Sequence, residues 1–220
     1  MIRRILAFFR AFVFVPLVPM FVLVMAGCTP DEELGSAGSE DDVFCVAEAI
    51  DLGLSVKWAS CNVGASLPSD YGFYYAWGET TPKSGAYKYY DSRKKKYEYI
   101  GSNISGTKYD VARVRWGGTW RMPTLDEINE LCNKCSWQWT EVNGVNGQKV
   151  TGPNGNSIFL PAAGYIDGED VYYRGWQGDY WSATWHSDGA ACDLLFDDDD
   201  GGDDFCDGRA LGFSVRPVTE

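Results

Sequence analysis

The most regular hydrophobic pattern in the chain lies between residues 124 and 135. Apolar side chains recur there at three- and four-residue spacing, which is typical of a helix with one buried face. They are Leu125, Ile128, Leu131, Cys132 and Cys135. Pro123 blocks a preceding helical turn, and Thr124 and Glu127 have the spacing of a capping box, in which each side chain accepts a hydrogen bond from the other's backbone N–H. The pattern predicts an amphipathic helix that begins directly after Thr124.

The residues that lead into this helix predict a structural corner. Gly117 and Gly118 allow the backbone to turn tightly between Trp116 and Trp120. Arg121 is the one long cation in this stretch, and we expect it to pair with a carboxylate from elsewhere in the fold.

Short apolar runs bounded by turn residues predict strands over most of the remaining chain. The strongest hairpin signal is Gly152-Pro-Asn-Gly155, which separates two such runs. The predicted strands and hairpins are an opening strand at 43–65, an aromatic strand at 71–77, a hairpin of 148–151 with 157–160, a hairpin around 166–170, paired strands at 180–185 and 191–196, and a final strand at 210–218. Asp110 is placed to cap a short helix that ends at Arg115. Short strands with one or two helices predict an α+β domain.

Composition adds limits on size and partners. A chain of 220 residues suits one domain with appendages, and 25 glycines with 15% aromatic residues favour a loop-rich fold held by large side chains. The formal net charge is −12, so we expect no long-range attraction to nucleic acid.

The first 42 residues have the pattern of a signal peptide and a tether. Three arginines, an apolar run and Met25-Ala-Gly-Cys28 predict a signal peptide over residues 1–27, with a cleavage site that resembles a lipobox. An uncleaved membrane anchor is the alternative, but the run is short for a bilayer span and contains two prolines. Residues 28–42 are rich in acids and nearly free of large apolar side chains, which predicts a flexible tether before a domain over 43–220.

Six ordered blocks resemble one known family. They include Tyr75-Ala-Trp-Gly-Glu-Thr-Thr-Pro82 and Trp116-Gly-Gly-Thr-Trp-Arg-Met-Pro-Thr124, and the full set is 51–65, 75–82, 116–124, 158–165, 180–184 and 213–218. Together they closely resemble the Fibrobacter succinogenes major paralogous domain of Bacteroidetes lipoproteins. Segments 121–127 and 212–216 also look like the formylglycine-generating-enzyme and C-type-lectin-like superfamily. The resemblance implies a compact C-type-lectin-like, or sulfatase-modifying-factor-like, α+β fold with no activity of the family to carry over.

The resemblance also implies a location. Cys28 would be the lipidated N-terminus of a mature lipoprotein that is anchored in the outer membrane. The acids that follow Cys28 resemble the signal that sends Bacteroidetes lipoproteins to the cell surface, although a periplasmic orientation stays open.

The cysteines fit an oxidising compartment, and six remain after Cys28. Six cysteines allow fifteen connectivities. The resemblance implies a Cys61–Cys135 disulfide, and Cys61 lies in one of the blocks that recur in the family. Cys192 and Cys206 flank one acidic turn and are predicted to pair, which leaves Cys45 with Cys132.

The candidate catalytic groups do not form a recognisable motif. Cys132-Asn-Lys-Cys135 has the spacing of a redox or zinc half-site, but zinc needs two more ligands and His186 is the only histidine. A redox pair needs the N-terminus of a helix, and these cysteines fall at the C-terminal end. Structural disulfides are therefore favoured. His186 also lacks a nucleophile motif, so we expect no enzyme; a formylglycine-generating-type oxidase or a hydrolase is the alternative.

The aspartates at 197–204 are the densest charge cluster. Asp197, Asp199 and Asp203 are weak candidates for calcium, which prefers six to eight oxygen ligands. The alternation of a calcium-binding loop is missing, so a solvated hairpin tip is favoured and no cofactor is expected.

Tryptophans near the start of the predicted strand at 180–185 suggest a surface for sugars. Trp176, Trp181 and Trp185 could stack on pyranose rings, with Gln177 and Asp179 as polar partners at the rim. The alternative is that these indoles are core residues. We therefore expect a non-catalytic cell-surface module that binds glycan or another extracellular polymer, with a structural or adhesive surface component as a further alternative.

Overall fold

The computed structural model describes residues 47–220. The predicted signal peptide, the tether, Cys28 and Cys45 lie outside this range. Within it, thirteen short strands form five small antiparallel sheets. Their bounds are β1 Ala49–Ile50, β2 Lys57–Ala59, β3 Tyr90–Asp91, β4 Lys96–Tyr97, β5 Ser136–Val142, β6 Val145–Thr151, β7 Ser157–Pro161, β8 Tyr165–Asp167, β9 Asp170–Tyr172, β10 Gly178–Ser187, β11 Ala190–Phe196, β12 Asp203–Gly208 and β13 Val218–Thr219.

The two helices of the described residues begin where their caps predict. Helix α1, Val111–Trp116, is capped by the buried Asp110, and helix α2, Leu125–Lys134, has the complete capping box of Thr124 and Glu127. Neither helix has the length and apolar content to cross a bilayer. The amphipathic helix and the short helix predicted from the sequence are confirmed.

Arg121 finds its carboxylate mainly within the same stretch of sequence. Its guanidinium forms two hydrogen bonds to Glu127, at 2.9 and 2.6 Å, and a weaker contact of 3.4 Å to Glu220. Burial opposes the charged form of Glu127, but hydrogen bonds from Arg121 and Thr124 lower its pKa overall. The main partner is thus local, and only Glu220 comes from elsewhere in the fold. Trp116 and Trp120 meet edge to face around the predicted glycine corner.

The predicted hairpins are confirmed, and the sheets add strands that the sequence pattern did not indicate. Strands β6 and β7 pair around the Gly152–Gly155 turn, β8 pairs with β9, and β10 pairs with β11. Strand β5 joins β6 through a tight turn at Asn143, whose φ is positive. Strand β12 extends the sheet of β10 and β11, so part of the aspartate-rich segment is a strand.

Three predicted strands were too long. The described part of 43–65 contains only the short β1 and β2. Segment 71–77 forms a single bridge from Tyr75 to Phe213, and 210–218 makes isolated bridges before entering β13. These segments run beside one another without regular pairing. Buried aromatic side chains, and not a continuous ladder of backbone hydrogen bonds, hold them together. Tyr75, Trp77 and Phe213 are fully buried in one cluster.

Two hydrophobic clusters form the core. One packs α2 against the first strands, β6, β7 and one face of the β10–β12 sheet, and the other packs α1 with the aromatic segments and the opposite face of that sheet. The domain is therefore an α+β domain of small antiparallel sheets with two short helices, and the sheet of β10, β11 and β12 lies between its clusters.

Candidate functional site

A groove with a volume of about 550 Å³ opens beside the end of β10. Its lining residues belong to the β3–β4 hairpin, the segment that follows it, the end of β10, and the turn from β10 to β11. They are Asp91, Lys94, Lys96, Tyr97, Glu98, Tyr99, Trp185 and Asp188. This volume lies within the range of about 300–1,000 Å³ that is usual for small-ligand sites.

Two aromatic side chains form the apolar wall of the groove. Tyr99 is 62% exposed, and its ring meets Trp185 edge to face with centroids 5.8 Å apart. Trp185 is half-buried because its other side packs on the second core cluster. Its indole Nε1 is buried without a hydrogen-bond partner. The half-buried ring of Trp185 and the exposed ring of Tyr99 are thus available to a ligand.

Charged side chains of both signs surround this wall. The turn of the β3–β4 hairpin is held by Asp91, whose carboxylate accepts from the backbone N–H groups of Arg93 and Lys94. Lys94 also pairs with Asp91 at 3.4 Å across an exposed surface. With Glu98 and Asp188, the groove presents acceptors and donors together and no strong single sign of charge.

Arg209 fixes the floor of the groove from below. It is fully buried, and its guanidinium donates to the backbone carbonyls of Glu98 and Asp188, each at 3.1 Å. The guanidinium also lies over the rings of Trp77 and Tyr97, within 4.8 and 5.8 Å of their centroids. One buried cation therefore joins three of the lining residues to the core.

The structure corrects the predicted ligand set at two positions. Trp181 is only 1% exposed, stacks on Phe213 at 4.1 Å, and donates its indole N–H to the carbonyl of Tyr75. Asp179 is likewise 1% exposed. Both side chains point into the sheet face that forms the second cluster, so neither can contact a surface ligand.

Trp176 lies outside the groove, in the loop between β9 and β10. It is 68% exposed, next to the exposed Tyr172 and Tyr173. Gln177 is half-buried and donates to Asp179 at 2.8 Å, which turns its amide inward. Of the predicted tryptophans, one is exposed, one lines the groove and one is core.

Two buried carboxyl groups, of Asp179 and Asp193, lie in the sheet of β10, β11 and β12. Burial raises the pKa of Asp179 to about 7, with a further contribution from Asp207. Burial, followed by the charges of Asp207 and Asp179, raises the pKa of Asp193 to about 8. Asp179 and Asp193 do not line the groove, so their altered pKa values do not provide an acid–base pair there.

The cysteines occupy two different environments. Cys192 and Cys206 lie directly opposite each other on β11 and β12, with their sulfurs 3.0 Å apart. Burial, with the nearby charges of Asp203 and Asp204, raises the pKa of the Cys132 thiol to about 12. That thiol would be a poor nucleophile at neutral pH. The Cys61–Cys135 and Cys45–Cys132 disulfides stay predictions.

The aspartate-rich segment forms an exposed hairpin tip between β11 and β12. The carboxylate of Asp197 accepts from the backbone N–H groups of Asp199 and Asp200, which makes a local turn. Asp203 belongs to β12 and pairs with Leu195. The weak calcium candidates Asp197, Asp199 and Asp203 therefore have structural roles in a turn and a strand, and their oxygens are not among the metal-ligand clusters of the described residues.

Comparison with family models, with curated proteins and with solved structures gave no match. The family resemblance thus stays a prediction from the sequence blocks.

Sequence reasoning missed most of the groove. Residues 83–109 carry no strong periodicity, and Tyr99 and the lysines of the hairpin were not singled out as a site. The available signal was composition, since the stretch from Lys88 to Tyr99 is rich in lysines and tyrosines.

Proposed function

We propose that this protein is a lipid-anchored module of the outer membrane that binds glycan chains, without catalysis, in the groove lined by Trp185 and Tyr99. The observation that carries the proposal is the pairing of Trp185 and Tyr99 in a groove that also presents carboxylates and ammonium groups. A pyranose has an apolar ring face that suits an aromatic wall, and hydroxyls that need donors and acceptors at the rim.

The charges of the groove favour an uncharged sugar. Asp91, Glu98 and Asp188 are offset by Lys94 and Lys96, so the lining is nearly balanced. The chain as a whole has a net charge of −12, which repels acidic polymers at long range. A neutral oligosaccharide is therefore the favoured ligand.

The anchoring part of the proposal rests on the sequence. The basic start, the apolar run and Cys28 support lipidation, and the six blocks support membership of the Fibrobacter succinogenes major paralogous domain family with a C-type-lectin-like fold. Replacing Cys28 by serine should release the protein from membranes or leave it uncleaved; unchanged membrane fractionation would contradict the anchor.

A glycan-array screen of the purified protein, with and without calcium, tests the binding function. We expect the Tyr99→Ala and Trp185→Ala variants to lose at least about tenfold in affinity, because each removes an aromatic contact of about 1.4 kcal/mol or more. Tyr99 is mostly exposed, so its variant should fold normally even if Trp185→Ala is destabilised.

Trp176→Ala is the matched control, since it removes an exposed tryptophan outside the groove. Binding that depends on Trp176 and not on Tyr99 would place the site at the loop between β9 and β10 and would contradict the proposed groove. Binding to no glycan at all would refute the function.

A further inference from the structure

Three side chains that carry good metal ligands converge on the sheet of β10, β11 and β12. They are His186, Cys192 and Cys206, one from each strand, and their ligand atoms all lie within 4.8 Å of one another. Cys192 and Cys206 are held opposite each other by the register of β11 and β12. The pairing of β10 with β11 is irregular on both sides of Trp185, the residue that precedes His186.

The ligand types favour zinc over the harder cations. Two thiolates and one imidazole form a donor set that zinc accepts, with a fourth position left for water. Zinc–sulfur bonds of about 2.3 Å in a tetrahedral site place two sulfurs about 3.8 Å apart. The sulfurs of Cys192 and Cys206 are 3.0 Å apart, so each needs to move outward by less than an ångström. His186 is exposed and Cys206 is half-buried, so the ion can enter from solvent.

We propose that His186, Cys192 and Cys206 bind one Zn²⁺ ion in the reduced protein. Two thiol protons are released, and water completes the coordination. The proposal does not depend on glycan binding. It competes with the Cys192–Cys206 disulfide predicted from the sequence, because the same sulfurs cannot form both; a disulfide, however, gives no role to the histidine that approaches both sulfurs.

The test uses the purified protein, reduced with a phosphine, incubated with Zn²⁺ alone and freed of excess metal. We expect one zinc per chain by mass spectrometry of the metal. Cobalt in place of zinc should give a thiolate-to-metal charge-transfer band. Cys206→Ser should abolish both signals, and His186→Ala should weaken zinc binding at least tenfold. Because His186 is exposed, its variant should fold normally, which keeps the test decisive if a cysteine variant is unstable.

The matched control is the Cys132→Ser/Cys135→Ser double variant, which removes the other close pair of cysteines and should retain the zinc. The proposal would be overturned by reduced protein that binds no zinc, by zinc that survives Cys206→Ser, or by affinity that is unchanged in His186→Ala. Zinc that is lost only in the Cys132/Cys135 variant would assign the metal to the other pair and would refute the proposal as well.

Discussion

At the scale of single residues, the buried carboxyl group of Asp179 makes the stability of the protein depend on pH. Its pKa is raised from 3.8 to about 7, chiefly by burial, and one of its oxygens has no hydrogen-bond partner. The native state therefore holds a proton that the unfolded state has released between about pH 4 and pH 7. Asp179 therefore lowers the free energy of unfolding as pH rises through this window, and Asp193, whose pKa is raised to about 8, extends the fall to about pH 8. Asp179→Asn removes the charge, so we expect it to stabilise the protein at pH 8, by on the order of 2–4 kcal/mol, and to change little at pH 4.

Urea unfolding at both pH values measures this difference. Asp198→Asn is the control, since Asp198 is exposed at the hairpin tip and its replacement should have little effect at either pH. If Asp179→Asn is equally or less stable than the wild type at pH 8, the buried carboxylate does not lower the free energy of unfolding at that pH.

At the scale of elements, the N-terminus of α2 depends on one hydroxyl and one carboxylate. The Thr124 side chain accepts from the Glu127 N–H at 3.3 Å, and Glu127 accepts from the Thr124 N–H at 2.8 Å while also binding Arg121. Thr124→Ala should lower the free energy of unfolding by about 1 kcal/mol, because the amide of Glu127 loses its partner. Thr124→Ser keeps the hydroxyl and should stay within a few tenths of a kcal/mol of the wild type. Chemical denaturation decides the matter, and equal stability of the two variants would argue against the cap.

At the scale of the whole molecule, Arg216 joins segments that are far apart in the chain. Its guanidinium is buried and donates to Asn62 Oδ1, to the carbonyl of Ala59, and to the carbonyl of Phe159 in β7. Arg216→Met would leave these acceptors buried without this donor, and we expect a loss of about 3 kcal/mol or more in the free energy of unfolding. Arg216→Lys keeps a charged donor, although a lysine cannot reach three acceptors in one plane. Its loss should therefore be smaller than that of Arg216→Met.

Thermal unfolding monitored by circular dichroism measures both variants. Arg93→Met serves as the control, because Arg93 is exposed in the β3–β4 turn. An Arg216→Met protein as stable as the control would mean that the three segments are held together by the hydrophobic clusters alone.

The sequence by itself determined the features that depend on neighbours along the chain. The caps of α1 and α2, the glycine corner, the Gly152–Gly155 hairpin and the pairing of β10 with β11 are encoded by spacing over a few residues, and the structure contains all of them. Hydrogen bonds to caps and turns form within such short segments, so their signals survive without knowledge of the fold.

Only the tertiary structure decided which side chains meet. Trp181 and Trp185 share a strand and both pack against the second cluster, yet Trp181 is core whereas Trp185, nearer the end of β10, also lines the groove. His186 had no visible partner in the sequence, and the register of β12 against β11 brings Cys206 and Cys192 to it. Tyr99 reaches Trp185 across a long separation in the chain. Such contacts depend on how separate strands are registered and packed, and no local pattern carries that information.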